Sequence, residues 1–499
     1  MPSSLTWPDY LVVAAALAVL VAIGVSFTRE QRDTVDFFLA RRSVPWWAAC
    51  LSFLATEISA VTIISVPATA YRENWEYVQF FIGSSLAKIA VAFLFIPAFY
   101  RHEVTTIYQF LADRFGQASQ VTASIFFFVT RLLGSGARMT ATAIAVSLLV
   151  GWSLPTTIVI ITVVSIVYIG TGGVKAIVWT NVFQALAFLG AGALTLGYLV
   201  SMIDGGAAAI VKTAGEAGRL AMVNWGPSPD APDFWRRVFT EPNIFWVAIL
   251  NGVVGSMAAF GTDHDLMQRL LTVDTRRASQ RTLVLTPLGT LVTLAIYLSL
   301  GAGLYTFYTQ HPAPTLARAD EILPFFVREV MPPVLRGVML AAIVLASVDS
   351  PLGSLAASFV TDIYRPLVAR NRPERHYLLV SRLAVAVFGL ILALLAWGFS
   401  LIAGQTLWLV FKIAGVTSGS LLGVFLLGLL SKKPIADAAN VTAMVAMAAV
   451  NVVLLVLSET GVVRFAWSWL VVIGTAGTIG LALLLGALLG PRRVPVPQR

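Results

Sequence analysis

Apolar runs of about 20 residues recur along nearly the whole chain, separated by short polar segments. Each run is long enough to cross a bilayer as a helix. The pattern therefore predicts an all-α polytopic membrane protein with about 13 transmembrane helices. The predicted spans are 8–28, 45–71, 77–100, 119–151, 154–171, 175–202, 242–271, 279–308, 334–364, 377–400, 405–431, 435–458 and 464–490.

Arginine and lysine residues follow alternate spans, from Arg41 after the first span to Lys432 after the eleventh. Because cytoplasmic loops carry the excess of positive charge, these connections and the C-terminus are predicted to be cytoplasmic. The N-terminus has no basic residue nearby and is predicted to lie outside. The first apolar run lacks a cleavage signal, so we interpret it as a retained helix in the cell membrane.

Composition excludes several other classes of protein. The chain is 58% hydrophobic and 12% charged, whereas a soluble domain carries about a quarter charged residues. The net charge of +9 is spread over short loops, which does not favour nucleic-acid binding. A single cysteine and four scattered histidines offer no metal-binding or hydrolytic motif, so an enzyme is not expected. A monomer is expected to suffice.

Ten of the spans divide into two sets of five, at 45–202 and 242–431, joined by an external loop at 203–241. Because five is odd, the second set enters the membrane with the opposite orientation, as in the inverted repeats of secondary transporters. Segments 1–44 and 432–499 then contribute one extra N-terminal helix and two extra C-terminal helices. The first helix of each half contains an interrupted stretch, "ATEISA" or "NGVVGSMAAFGTD".

The run "LSFLATEISAVTIISVPATAY" carries an acid, Glu57, near its middle. Three roles are open to it: an ion pair with Lys88 in the next span, direct contact with a substrate, or binding of a proton or cation. We favour the pair, because two opposite charges on adjacent helices reduce each other's cost of burial.

Several segments resemble motifs of the sodium/solute symporter family. They are "FFLARRSVPWWAACLSFLATEISAVTIISVPATAY", "FIPAFYRHEVTTIYQFLADRF", "GGVKAIVWTNVFQ", "DHDLMQRLLT", "SLAASFVTDIY" and "SGSLLGVFLLGLL". They occur in the family's order between about residues 36 and 431. The resemblance implies a LeuT-type fold of five plus five inverted helices and sodium-driven symport of a small solute by alternating access.

The resemblance also implies a sodium site. Its ligands would be main-chain or hydroxyl oxygens of Ala55, Ile58, Ile343, Ala346 and Ser347. Position 346 departs from the family, which usually has serine or threonine there, so one side-chain ligand is missing. The alternative is that Ser347 only packs one helix against another.

A second departure occurs at Asn181, where the family commonly has an aspartate. Asp349 occupies a position that is a hydroxyl residue in relatives, and Ser350 is beside it. We infer a possible second sodium site formed by Asn181, Asp349 and Ser350 and adjoining Ser347. The alternative is that Asp349 pairs with a nearby arginine.

Arg131 and Arg138 are seven residues apart and share a helical face. An arginine suits a carboxylate, so the pair favours an anionic solute, although either arginine could instead pair with Asp349 or cap a broken helix. Other candidate solute contacts are Glu57, Ser59, Thr62 and Gln79, with Phe260 as a gate. A sodium-coupled sugar symporter is the alternative, and a channel or a sensor is less favoured.

Overall fold

The computed structural model describes residues 5–27, 30, 32–316, 318–348, 351–401 and 406–489. This part of the chain is mostly helical, with a single isolated β-bridge between Val44 and Val273 and no strand. The result agrees with the predicted all-α class. Helices suit a lipid environment because each one satisfies its own backbone hydrogen bonds.

Twenty α-helices follow one another along the described chain. They are α1 (Trp7–Ser26), α2 (Thr34–Leu39), α3 (Trp46–Glu57), α4 (Ala60–Arg72), α5 (Tyr77–Arg101), α6 (Gln109–Arg114), α7 (Gln117–Val150), α8 (Leu154–Ser201), α9 (Gly206–Glu216), α10 (Phe234–Thr240), α11 (Phe245–Thr262), α12 (His264–Leu271), α13 (Arg276–Gln310), α14 (Ile322–Glu329), α15 (Leu335–Val348), α16 (Leu352–Ser358), α17 (Glu374–Ser400), α18 (Thr406–Leu430), α19 (Asp437–Glu459) and α20 (Trp469–Leu489). Short 3₁₀ turns occupy Ala40–Arg42 and Ala319–Glu321, and a π-helix occupies Phe359–Val368.

Eight of the described helices are long and apolar enough to cross a membrane, or nine if α3 and α4 form one bent span. Three shorter apolar helical segments, Leu154–Gly170, Leu335–Ala346 and Ala414–Leu430, add to these. Each of the 13 predicted spans contains helix, but the exact number of crossings stays a prediction. Two of them, 154–171 and 175–202, correspond to the two parts of α8, Leu154–Gly170 and Gly172–Ser201, which meet at a kink at Gly173 with φ 62° and ψ −167°. Only glycine adopts such a backbone readily.

Two of the predicted spans are interrupted in the middle. Ile58 and Ser59 are extended, with ψ of 110° and 175°, and α3 and the following helix meet at 56°. The second break lies at Asp263, between α11 and α12, with ψ 117°. It falls at the last residue of the stretch predicted to be interrupted, since α11 remains helical through its glycines up to Thr262.

The helices α5 and α11 make an unusually close approach. A Cβ on Gly83 would lie 2.4 Å from the Ile249 carbonyl oxygen, and one on Gly252 would lie 2.3 Å from the Phe80 carbonyl oxygen. The contact therefore requires glycine on both helices. Next to these glycines, Ser84 on α5 and Asn251 on α11 line one common cavity.

Candidate functional site

The break between α3 and α4 leaves backbone carbonyls without helical partners. The last helical bond of α3 runs from the Ile58 N–H to the Leu54 carbonyl at 2.8 Å. The carbonyls after Leu54 are those that a helix end leaves for other partners. They include Ala55 and Ile58, the two residues expected to offer main-chain oxygens to sodium.

The expected sodium ligands on α15 lie in the same buried region. Ile343 and Ala346 belong to the hydrophobic core that also contains Ala55 and Ile58. Ala55 and Ala346 line one cavity of about 610 Å³. The structure thus brings Ala55 and Ala346 to one cavity and places Ile58 and Ile343 in the same core, while the side chain of Ser347 lies outside the described part of the molecule.

Asn181 packs against α3 beside this region. Its amide donates hydrogen bonds to the Ser52 hydroxyl at 3.2 Å and the Thr56 hydroxyl at 3.1 Å, and its side chain is buried. The other two residues of the expected second sodium site, Asp349 and Ser350, lie outside the described residues. That site therefore remains a prediction.

Glu57 and Lys88 form a buried ion pair. The Lys88 Nζ lies 2.8 Å from each carboxylate oxygen of Glu57. Lys88 is 1% exposed and the Glu57 side chain 9% exposed. Thr290 on α13 completes the group, with its Oγ1 3.1 Å from the Glu57 Oε2 and 3.2 Å from the Lys88 Nζ. The ammonium also lies 5.0 Å from the centre of the Phe260 ring.

Glu57 thereby becomes the junction of three helices at the first break. Glu57 is the last residue of α3, Lys88 lies on α5 and Thr290 lies on α13. Each of the three side chains is therefore positioned by a different helix. Of the three roles open to Glu57, the structure shows the ion pair directly. The same carboxylate lines the central cavity, so contact with a solute remains possible in addition.

Arg131 lies at the second helix break. Its guanidinium donates hydrogen bonds to Asp265 and, at 3.3 Å, to Asp263. Asp265 also accepts hydrogen bonds from Arg269 and from Ser354, each at 2.8 Å. These contacts join α7, α12 and α16. The geometry favours the alternative weighed from the sequence, in which an arginine supports a broken helix, over direct binding of solute by Arg131.

Arg138 occupies a different position from Arg131. It lines the 610 Å³ cavity, a neighbouring cavity of about 620 Å³ and a third, central cavity of about 1030 Å³. It therefore stands where the sodium-side and central cavities meet. Ser59 and Thr62, which were expected to contact solute, also line the central cavity, as does the expected gate Phe260.

Gln79 does not serve as the sequence suggested. Its buried amide donates hydrogen bonds to the carbonyls of Asn243, at 2.9 Å, and Glu76, at 3.1 Å. Its carbonyl accepts from the Asn224 N–H at 3.0 Å. Both ends of the side chain thus hold the loop that precedes α11. The prediction that Gln79 contacts solute used its position near the start of α5. The side chain instead faces the loop.

The central cavity also contains polar side chains that are not among the predicted solute contacts. Ser84 and Asn251, which flank the close contact of α5 and α11, line it together with Ser256. The Ser84 hydroxyl is buried and makes no hydrogen bond with any residue that the structure describes. Aromatic rings cover much of the remaining wall, namely Tyr77, Phe80, Phe81, Phe260 and Trp467. The sequence contains one indication that Ser84 faces the cavity: it precedes Lys88 by one helical turn and so lies on the same face of the helix.

The chain is similar to known sodium-coupled transporters over nearly its full length. It is 29% identical to the sodium/sialic acid symporter SiaT of Proteus mirabilis, over 89% of this chain and 88% of that protein. The solved structure of a Na⁺-coupled sialic acid symporter, in a substrate-bound, outward-open state, superposes with a TM-score of 0.85 at 25% identity. The alignment covers 97% of this chain and 99% of that one.

The fold is also similar to that of Mhp1, solved in an inward-facing conformation. That match has a TM-score of 0.51 at 18% identity and covers 90% of this chain and 91% of that one. The two likenesses place the chain among LeuT-like folds. The sequence profile of the sodium:solute symporter family matches residues 37–449. The chain belongs to the sodium:solute symporter family.

Proposed function

We propose that the chain imports a small organic anion together with sodium ions by alternating access. The proposed topology has 13 membrane spans. The inverted repeats occupy 45–202 and 242–431, and the loop 203–241 between them lies outside. The N-terminal segment 1–44 begins outside and the C-terminal segment 432–499 ends in the cytoplasm. A monomer carries the complete pathway.

The charges around the central cavity are the main support for an anionic solute. Lys88 meets the charge of Glu57 in a bidentate contact, so this acid, the only one among the described residues that line the cavity, does not repel an anion. Arg138 lines the same cavity and can present a planar fork to a carboxylate. The sialic acid carriers to which the chain is similar handle a solute that bears a carboxylate.

Sodium would bind at the edge of this cavity. The first proposed site uses oxygens of Ala55, Ile58, Ile343, Ala346 and Ser347, near the break of α3 and α4. Hard oxygen ligands of this kind suit an alkali cation, as they do calcium. The second proposed site uses Asn181, Asp349 and Ser350. Thr56 and Ser59 line both the sodium-side and the central cavities, so a cation and a solute would bind next to each other.

Two sodium ions per anion would give the transport step a net charge. One sodium with a monovalent anion is electroneutral and gains nothing from the membrane potential. A second sodium leaves one net positive charge, which is worth about 2.3 kcal/mol at 100 mV, or roughly 50-fold accumulation. The second site therefore has a clear energetic use.

A neutral polar solute such as a sugar is the second candidate. It is favoured by the neutral hydrogen-bonding side chains of the cavity, Asn251, Ser84 and Ser256. An anionic solute with hydroxyl or amide groups would use the same side chains. The two candidates therefore differ in whether Arg138 is required.

Uptake into proteoliposomes tests the proposal. Sialic acid is the first anion to supply, followed by simple monocarboxylates and by sugars, each with an inward sodium gradient. We expect sodium-dependent accumulation of an anion that increases when the interior is made negative with potassium and valinomycin. Replacement of sodium by choline should abolish it. Accumulation of sugars alone would contradict an anionic solute, flux without accumulation would indicate a channel, and binding without flux would indicate a sensor.

A further inference from the structure

The N-terminal helix α1 lies outside the two repeats, yet its first turn carries a completely buried carboxylate, Asp9. This carboxylate caps its own helix, because it accepts hydrogen bonds from the Thr6 N–H at 2.8 Å and the Thr6 hydroxyl at 2.9 Å. A carboxylate in a first helical turn is favoured by the helix dipole.

Asp9 also caps a second helix, α15. It accepts hydrogen bonds from the N–H groups of Val334 at 3.0 Å and Gly337 at 3.1 Å, at the start of α15. Arg336, in the same turn, donates from Nη2 at 2.7 Å and from Nε at 3.1 Å. The first N–H groups of a helix have no partner within it. Here a side chain from another helix provides that partner.

The backbones of α1 and α15 are in close contact at this point, so neither helix has space to shift toward the other. A Cβ on Gly337 would lie 2.8 Å from the Asp9 Cα. At its other end α1 packs on α8, where a Cβ on Gly172 would lie 2.4 Å from the Gly24 carbonyl oxygen. One helix thus contacts both α15, which carries the expected sodium ligands 343–347, and α8, which carries Asn181.

We propose that Asp9 is a positioning residue for the sodium site. It fixes the first turn of α15, which begins at Leu335, eight residues before Ile343 or about 12 Å along the helix axis. The register of α15 against the break of α3 and α4 then sets the distances between the oxygens that receive sodium. This inference rests on the proposed function, since it assigns Asp9 to the sodium site of that proposal.

The test measures sodium binding without transport. Purified protein is titrated with sodium in the absence of solute, at constant ionic strength with choline, and the rise in melting temperature is followed. Asp9→Asn keeps the shape of the side chain but removes the charge that faces Arg336. We expect the half-saturating sodium concentration to rise about tenfold, at the lower end of the effect of losing a residue that supports a metal ligand. Solute affinity at saturating sodium should change less than twofold.

Asp437→Asn is the matched control. Asp437, on α19, accepts hydrogen bonds from the N–H groups of Ala118 at 3.0 Å and Ser119 at 2.8 Å, and so caps α7 from another helix. No expected sodium ligand lies on α7. The control should lower the melting temperature and leave sodium affinity unchanged. Thr6→Val, which removes only the hydroxyl contact within α1, should behave in the same way.

A double variant keeps the test decisive if Asp9→Asn does not fold. Asp9→Asn with Arg336→Gln leaves no buried unpaired charge, so it should fold and retain the reduced sodium affinity. Wild-type sodium affinity in either Asp9 variant, together with a lower melting temperature, would assign Asp9 to stability alone and overturn the inference. Absence of any sodium effect on the wild-type protein would instead overturn the proposed function, and this inference with it.

Discussion

Lys88 and Glu57 are held in a symmetric contact, with the ammonium nitrogen 2.8 Å from each carboxylate oxygen. The acid is the last residue of α3, so the pair ties the first helix break to the middle of α5. Because both charges are buried, each is tolerated only in the presence of the other. The contact therefore determines the shape of the break as well as its charge.

Neutralising one partner of this pair should be more harmful than neutralising both. Breaking a buried ion pair from one side costs about 3–5 kcal/mol, because the remaining charge has no partner. Glu57→Gln or Lys88→Gln alone should therefore abolish uptake and lower the melting temperature. The double variant should recover more uptake than either single change, as measured in proteoliposomes with the same amount of inserted protein.

A more exposed ion pair provides the comparison. Lys412 lies 2.7 Å from Glu459, and the two side chains are 30% and 52% exposed. Exposed pairs contribute only about 0–1 kcal/mol, so Glu459→Gln should have little effect on uptake or melting temperature. If the losses at Glu57 and Lys88 were simply additive in the double variant, the two residues would act independently.

The two arginines of α7 should have different kinetic roles. A hydrogen bond to a charged group contributes about 1.5–3 kcal/mol, so Arg138→Gln should raise the KM for an anion at least about tenfold. Arg131→Gln should lower the maximal rate and the melting temperature instead, since it leaves Asp263 and Asp265 without their shared partner. Uptake rates over a range of solute concentrations separate these effects. An unchanged KM in Arg138→Gln would argue against its contact with solute.

Asp349 should determine the number of sodium ions. We predict that Asp349→Ala lowers the Hill coefficient for sodium toward one and makes uptake of a monovalent anion insensitive to membrane potential. A matched variant moves the carboxylate to α8, by combining Asp349→Ser with Asn181→Asp. It should restore both the Hill coefficient and the voltage dependence, measured with radiolabelled solute at imposed potentials. Full cooperativity in Asp349→Ala would exclude it from a second site.

Ser84 should contribute to solute affinity without contributing to stability. Its buried hydroxyl makes no hydrogen bond in the described structure and lines the central cavity. If solute satisfies it, Ser84→Ala should lose about 1 kcal/mol of binding, or roughly a fivefold rise in Kd. Ser65 is the control, because its hydroxyl is also buried and without a hydrogen bond among the described residues, but it lies on α4 and not among the residues found to line the cavity. Ser65→Ala should leave Kd unchanged in a calorimetric titration.

The helical class and the family were predictable because both depend on local features. Apolar runs long enough to span lipid predict helices directly. The ordered motifs between residues 36 and 431 predict the family, which the profile match to 37–449 confirms. The boundary between the predicted spans 154–171 and 175–202 was also predictable, since a kink at Gly173 divides α8 between them.

Pairs of opposite charge were predictable only where few partners compete. Lys88 stands alone in an apolar span, so its contact with Glu57 could be anticipated. Nothing in the spacing of the aspartates at 263 and 265 marks them as partners of Arg131, whose guanidinium suits the carboxylate of a solute equally well. Both acids are turned inward at the second break. Gln79 shows the same difficulty, since spacing along a helix does not reveal which loop folds over it.

The glycine contact between α5 and α11 limits how this molecule can move. With backbone touching backbone at Gly83 and Gly252, the two helices have no layer of side chains that can slide or repack. They should travel as one rigid body whenever the cavity changes the side of the membrane it faces. The hinges must then lie elsewhere, at the extended residues 58–59 and at Asp263, where the backbone already departs from helical geometry.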